Sequence, residues 1–166
     1  MKPSADHLDE ILAQWQRERP DLDAEPLGII GRLFRATALA DVALTPPLAE
    51  LGLQGGWLDI LAALRRAGSP YELNPTALVH ATLLTSGGIT KRLDRLAEAG
   101  LVERRPDPGD RRGTLVRLTP KGKRIVDRAM PKHLANMEGL LRSLRPEQRM
   151  TLEELLRTLL IDLDQA

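Results

Sequence analysis

Apolar residues recur along this chain at helical spacing, with one interruption near its middle where short apolar runs suit extended backbone instead. Leu8, Ile11, Leu12 and Trp15 predict a helix over about 6–19 that Pro20 stops. A second opens near Pro26 and carries Leu27, Ile30, Leu33 and Phe34 as far as Pro46-Pro47, which are expected to kink or break it. GWLDILAALRR (56–66) predicts a short helix closed by Gly68, and NPTALVHATL (74–83) opens with an Asn cap and a first-turn Pro. The next helix, TSGGITKRLDRLAEAG, gathers Ile89, Leu93, Leu96 and Ala97 on one face and ends at Gly100. Two strands then follow, 101–104 and 115–118, separated by the polar run RPDPGDRRGT, so that a hairpin with a basic tip is expected. From Pro120 to Asp164 the pattern is helical, with interruptions expected near Pro131 and Arg145-Pro146, and Leu152, Leu155, Leu156, Leu159, Leu160 and Leu163 form a closing apolar stripe.

The expected fold is therefore mainly α with a small β-wing, and 166 residues make one domain the default. Cysteine is absent, which rules out disulfides and thiolate zinc sites and fits a reducing cytoplasm. No basic-then-apolar leader opens the chain, and no apolar run approaches the roughly 20 residues that span a bilayer. The formal net charge is only +1, but its distribution is uneven. Ser86–Arg124 holds 11 Lys/Arg against 5 acids, a local +6 that leaves −5 for the rest of the chain. Screening acts over roughly 8 Å, so a phosphate backbone responds to this local excess and not to the total. A solvated charged face is the plain alternative.

Helix, turn, helix and basic hairpin together describe a winged DNA reader. The second helix fits a major groove about 12 Å wide, and the hairpin reaches the flanking backbone or minor groove. Burying Ile89, Leu93 and Leu96 leaves Ser86, Thr90, Lys91 and Arg95 outward, while Ser86, Gly87 and Gly88 let the helix start approach a phosphate closely. Enzymatic chemistry finds little support. His7, His80 and His133 are isolated, Gly87-Gly88 lacks the downstream Lys-Ser/Thr of a phosphate loop, and Ser86 has no evident base. Neither catalytic nor metal-ligating residues are expected.

These residues resemble the multiple-antibiotic-resistance regulator (MarR) family of bacterial repressors over roughly Leu51–Gly122. The likeness is closest in SGGITKRLDRLAEAGLVERR and PDPGDRRGTLVRLTPKG, where the family's Asp-x-Arg wing and Leu-Thr-x-x-Gly stand as Asp110 to Arg112 and Leu118 to Gly122. The resemblance implies that Asp110 orients the wing and that Arg112, with Arg111 beside it, enters the minor groove. It also implies that helices at about 6–50 and 120–164 form a dimerisation lobe around a winged helix-turn-helix at about 51–119, giving a homodimer on a pseudo-palindromic duplex DNA operator in the cytoplasmic nucleoid.

A narrower resemblance, to the family's urate-responsive branch, implies a ligand site from Trp15, Asp59, Arg92 and Arg104 for urate or another aromatic acid, with no other cofactor. Two oddities in the residues agree. Asp59 interrupts an apolar stretch, and Arg92 borders a buried face, where an unpaired charge would cost several kcal/mol, so Asp59 and Arg92 are the natural ion pair. Plain alternatives remain: Trp15 as a core anchor, Asp59 as a helix-dipole residue and Arg104 as a phosphate contact. Gln54-Gly55-Gly56 departs from the branch, which carries a polar cap there. The rival reading of the whole chain is a dimeric ligand-binding or protein-interaction module of the same fold without DNA binding.

Overall fold

The computed structural model describes residues 5–83 and 86–165. In chain order the elements are α1 (His7–Glu18), α2 (Glu25–Ala49), α3 (Trp57–Arg66), β1 (Glu72–Leu73), α4 (Pro75–Ala81), α5 (Ser86–Glu98), β2 (Val102–Asp107), β3 (Asp110–Leu118), α6 (Pro120–Leu140) and α7 (Pro146–Leu163). The fold is mainly helical with one antiparallel sheet in the order β1-β3-β2. It divides into two compact units, one up to Ala43 and one from Leu44.

In the first unit, Asp6 caps α1 by accepting the backbone N–H groups of Leu8 and Asp9 at 2.8 and 3.2 Å, while the Asp9 carboxylate accepts that of Asp6 at 2.6 Å. This reciprocal arrangement satisfies donors that a helix start otherwise leaves open. Leu8 and Leu12 lie against the two glycines of α2: a Cβ on Gly31 would stand 2.8 Å from Leu8 Cδ1, and one on Gly28 3.2 Å from Leu12 Cδ1. Arg32 bridges Asp6 and Asp9 at 2.8 and 2.7 Å, and its guanidinium holds the Asp6 carboxyl below the usual carboxylate range. Ile29, Phe34, Leu39 and Val42 of α2 remain exposed.

The second unit is built around α3, whose Trp57, Leu58 and Ile60–Leu64 are buried. Leu53 and Leu101 between elements, Leu78 of α4, Ile89, Leu93 and Leu96 of α5, Val102 of β2, Val116 and Leu118 of β3, and Val126 and Ala129 of α6 complete the core. As the sequence predicts, Asn74 caps α4, accepting the Ala77 N–H at 2.7 Å, and Gly68 and Gly100 take positive φ past the ends of α3 and α5. Thr119 starts α6: its Oγ1 accepts from the Gly122 N–H at 3.0 Å and donates to the Gly100 carbonyl at 2.8 Å. Thr119→Ala removes both bonds, and a loss of about 1 kcal/mol is expected in thermal or urea melts.

Four expectations are corrected. α2 continues through Pro46 and Pro47 to Ala49, because prolines in the final turn forfeit only two ladder bonds. α6 likewise passes Pro131 without interruption. The hairpin strands run through most of the polar segment and leave only Pro108-Gly109 as the tip, where the Gly109 N–H donates to the Asp107 carboxylate at 2.8 Å. Pro106 stands opposite Thr114 with a register shift just beyond it; proline is tolerated because β2 is an edge strand. Finally, Glu72–Leu73 adds a third strand, paired with Arg117 and Val116.

Asp127 of α6 accepts from Arg65 of α3 at 2.7 Å and from Lys123 at 2.8 Å, and these partners, Lys123 foremost, hold its pKa down. A depressed folded-state pKa stabilises above the unfolded-state value and ceases to do so as pH falls through the folded one. The Tm advantage of wild type over Asp127→Asn is therefore expected at neutral pH and should shrink on acidification through the carboxylate range.

No residue of α7 is buried, and Leu152, Leu155, Leu160, Ile161 and Leu163 are exposed. Among the described residues, no helix is long and apolar enough to cross a membrane.

Candidate nucleic-acid interface

Burial of Ile89, Leu93 and Leu96 fixes the rotation of α5 about its axis. Thr90, Lys91 and Arg95 consequently point away from the core, exposed, and among the described residues their side chains have no hydrogen-bond or ion-pair partner. Ser86 and Gly87 belong to the first turn of α5, and Arg111 and Arg112 to β3; their side chains lie outside the described residues.

The wing is closed tightly at its tip. Asp110 opens β3 opposite Asp107, and a Cβ added to Gly113 would stand 2.9 Å from the Asp107 Cβ and 3.0 Å from that of Asp110. Only a residue without a side chain fits there unless both aspartates shift. At the root of the wing, Arg104 of β2 pairs with Asp94 of α5 at 2.6 Å. That bond connects hairpin and helix. Residues ten apart on a helix and a strand share no readable spacing, which is why sequence reasoning missed it.

The expected Asp59–Arg92 ion pair does not form. Arg92 Nε donates to the Gly55 carbonyl at 3.2 Å, and Nη1 donates to the Gly88 carbonyl at 2.9 Å. Its guanidinium lies across Gly88 so closely that a Cβ there would overlap it. Asp59, in the first turn of α3, accepts the Leu83 N–H at 2.8 Å. Each half-buried charge is thus satisfied by backbone, which meets the same electrostatic need without a salt bridge. Of the remaining ligand candidates, Arg104 is held by Asp94, and Trp15 stands on α1 in the first unit, 44% exposed and therefore no core anchor. A further contact not anticipated joins Arg66 Nη2 to the Ala81 carbonyl at 2.7 Å.

A short helix, a second helix with an exposed cationic face, and an antiparallel hairpin bonded to that helix define a winged helix-turn-helix. The sequence profile of the MarR family matches residues 51–113. The HTH-type transcriptional regulator PecS of Dickeya dadantii is 39% identical over 149 residues, covering 90% of each chain. Among solved structures, a variant of MarR from E. coli complexed with operator DNA aligns with a TM-score of 0.72 at 28% identity, covering 94% of this chain and 99% of that one. BpsR of Bordetella bronchiseptica, solved to explain regulation of its DNA binding by 6-hydroxynicotinic acid, aligns with a TM-score of 0.71 at 26% identity over 80% and 98% of the two chains. The chain belongs to the MarR family of DNA-binding transcriptional regulators.

Proposed function

We propose that the protein is a homodimeric repressor that reads a pseudo-palindromic operator and is released from it by a small anionic aromatic ligand such as urate. The observation that carries the DNA-reading part is the outward face of α5, where Thr90, Lys91 and Arg95 stand exposed and, among the described residues, without internal partners. In the major groove Thr90 and Lys91 reach base edges, and Arg95 serves a phosphate. The Arg112 and Arg111 side of the wing takes the adjacent minor groove, oriented by Asp110. Pairing of two copies is supported by the apolar stripe of α7, where no residue is buried and Leu152, Leu155, Leu160 and Leu163 are exposed.

Support for an aromatic anion comes from Arg92 and from the likeness to BpsR, whose DNA binding is regulated by such an acid. Arg92 is on the DNA-reading helix and uses Nε and Nη1 on backbone carbonyls, so a carboxylate or urate anion that recruits the guanidinium shifts α5 itself. Arg104 passes a charge change to the wing through Asp94. A coupling of about 1–3 kcal/mol suffices to change operator affinity roughly 5- to 150-fold.

The test titrates urate into the DNA complexes of wild type and Arg92→Ala. Release of wild type at lower urate than the variant is expected. Equal release of both would remove Arg92 from the ligand site, and no release at millimolar urate would exclude urate.

A further inference from the structure

We infer that Asp59 and Arg66 of α3 form a two-point clamp on the end of α4, at Ala81 and Leu83, and so position the DNA-reading helix that follows. The inference rests on the reading of α5 as that helix. The two residues are seven apart, two helical turns, and so share one face of α3. From that face Asp59 accepts the Leu83 N–H at 2.8 Å, and Arg66 donates to the Ala81 carbonyl at 2.7 Å. One end of the clamp thus holds a backbone donor and the other a backbone acceptor, two residues apart.

Core packing reaches Ala81 and does not extend to Leu83. Leu78 is fully buried before it and Ile89 after it, but the side chain of Leu83 is 98% exposed. An apolar residue standing in solvent contributes no anchoring contact, so the hydrogen bond from its N–H to Asp59 fixes the chain there. The base of the clamp is rigid, because Asp59 is flanked by the buried Leu58 and Ile60. A third bond, Arg92 Nε to the Gly55 carbonyl, ties α5 to the segment just before α3 and constrains the same helix from its own side. A base-reading side chain displaced by about 1 Å loses its hydrogen bonds, whereas attraction to phosphates barely changes. The clamp therefore governs sequence discrimination and leaves non-specific affinity alone.

In this role Asp59 acts as a hydrogen-bond acceptor and not through its charge, which separates the clamp from the ligand site proposed above. Asparagine keeps an acceptor oxygen at that place and alanine does not. The experiment uses the full chain without ligand and a duplex selected by the wild type from random sequence, and measures affinity for the selected and a scrambled duplex over a range of salt. Asp59→Ala is expected to lower the selected-to-scrambled ratio about tenfold, leaving the scrambled affinity and salt slope unchanged. Asp59→Asn should keep the ratio within about threefold of wild type. Arg66→Met removes the other anchor from an exposed position, tests the clamp even where Asp59→Ala fails to fold, and should lower the ratio in the same way. An unchanged ratio in Asp59→Ala and Arg66→Met would overturn the clamp, as would an Asp59→Asn defect equal to that of alanine. A wild type that discriminates no duplex would instead overturn the reading of α5.

Discussion

Replacing Gly122 by alanine is expected to destabilise the winged unit severely, against the ordinary sign of that substitution. Within a helix, glycine to alanine normally gains about 0.5–1 kcal/mol, because alanine loses less backbone freedom on folding. At Gly122, in the first turn of α6, an added Cβ would overlap the backbone carbonyl oxygen of Leu101 and stand 3.0 Å from its carbon. That carbonyl also accepts the Thr119 N–H at 3.1 Å, so it cannot swing aside without losing the bond that seats α6 on the start of the wing. The clash is with main chain on both sides, and relief requires α6 to lift from a core that includes Leu101 and Val126. A loss of about 3 kcal/mol or more is expected, a fall in Tm of the order of 10 °C for a chain of this size. Gly139→Ala, in the same helix with nothing within 4 Å of the added carbon, should be neutral or slightly stabilising. A similar, small effect at both positions would mean that α6 does not sit this closely on Leu101.

The second large effect concerns assembly. Leu160→Glu places a charge in the apolar stripe of α7 at a residue 57% exposed in the single chain. Within one chain the substitution should be nearly silent, leaving the helical signal and Tm of the isolated fold unchanged. If two copies bury this stripe against each other, each buried carboxylate costs several kcal/mol, doubled by symmetry. Sedimentation is expected to show monomers at micromolar concentration where wild type is dimeric. Operator affinity should fall by about a hundredfold or more, since the second half-site loses the effective concentration that linkage to the first supplies. Monomeric wild type would contradict the proposed dimer, and a dimeric Leu160→Glu would move the interface away from α7.

The parts of the fold legible in sequence are those governed by local chemistry. Asn74-Pro75 announces a helix start because its capping bond spans three residues, and Ile89, Leu93 and Leu96 announce the inner face of α5 because helical period alone places them together. The same period named Thr90, Lys91 and Arg95 as outward. What stayed hidden depends on partners remote in sequence. Glu72–Leu73 is too short for any periodicity and becomes a strand only because β3 lies beside it. Pro106 reads as a strand breaker until the sheet order makes β2 an edge. Arg92 was rightly expected to need a counterpart, but a guanidinium is served as well by carbonyls as by a carboxylate, and only the fold decides that Gly55 is within reach and Asp59 is not.

The measurement that bears most directly on α5 and the wing as a DNA-reading surface is the salt dependence of duplex binding, comparing wild type with Lys91→Ala and Arg112→Ala. For a protein that displaces counterions with several cationic side chains, the logarithm of affinity falls linearly with the logarithm of salt, with a slope of about −0.9 for each phosphate neutralised. Wild type is expected to show a steep slope on a selected duplex, Arg112→Ala a slope shallower by about one with weaker binding to every sequence, and Lys91→Ala an altered sequence preference. Binding that is absent at every salt concentration, or a slope and preference unchanged in both variants, would contradict the account.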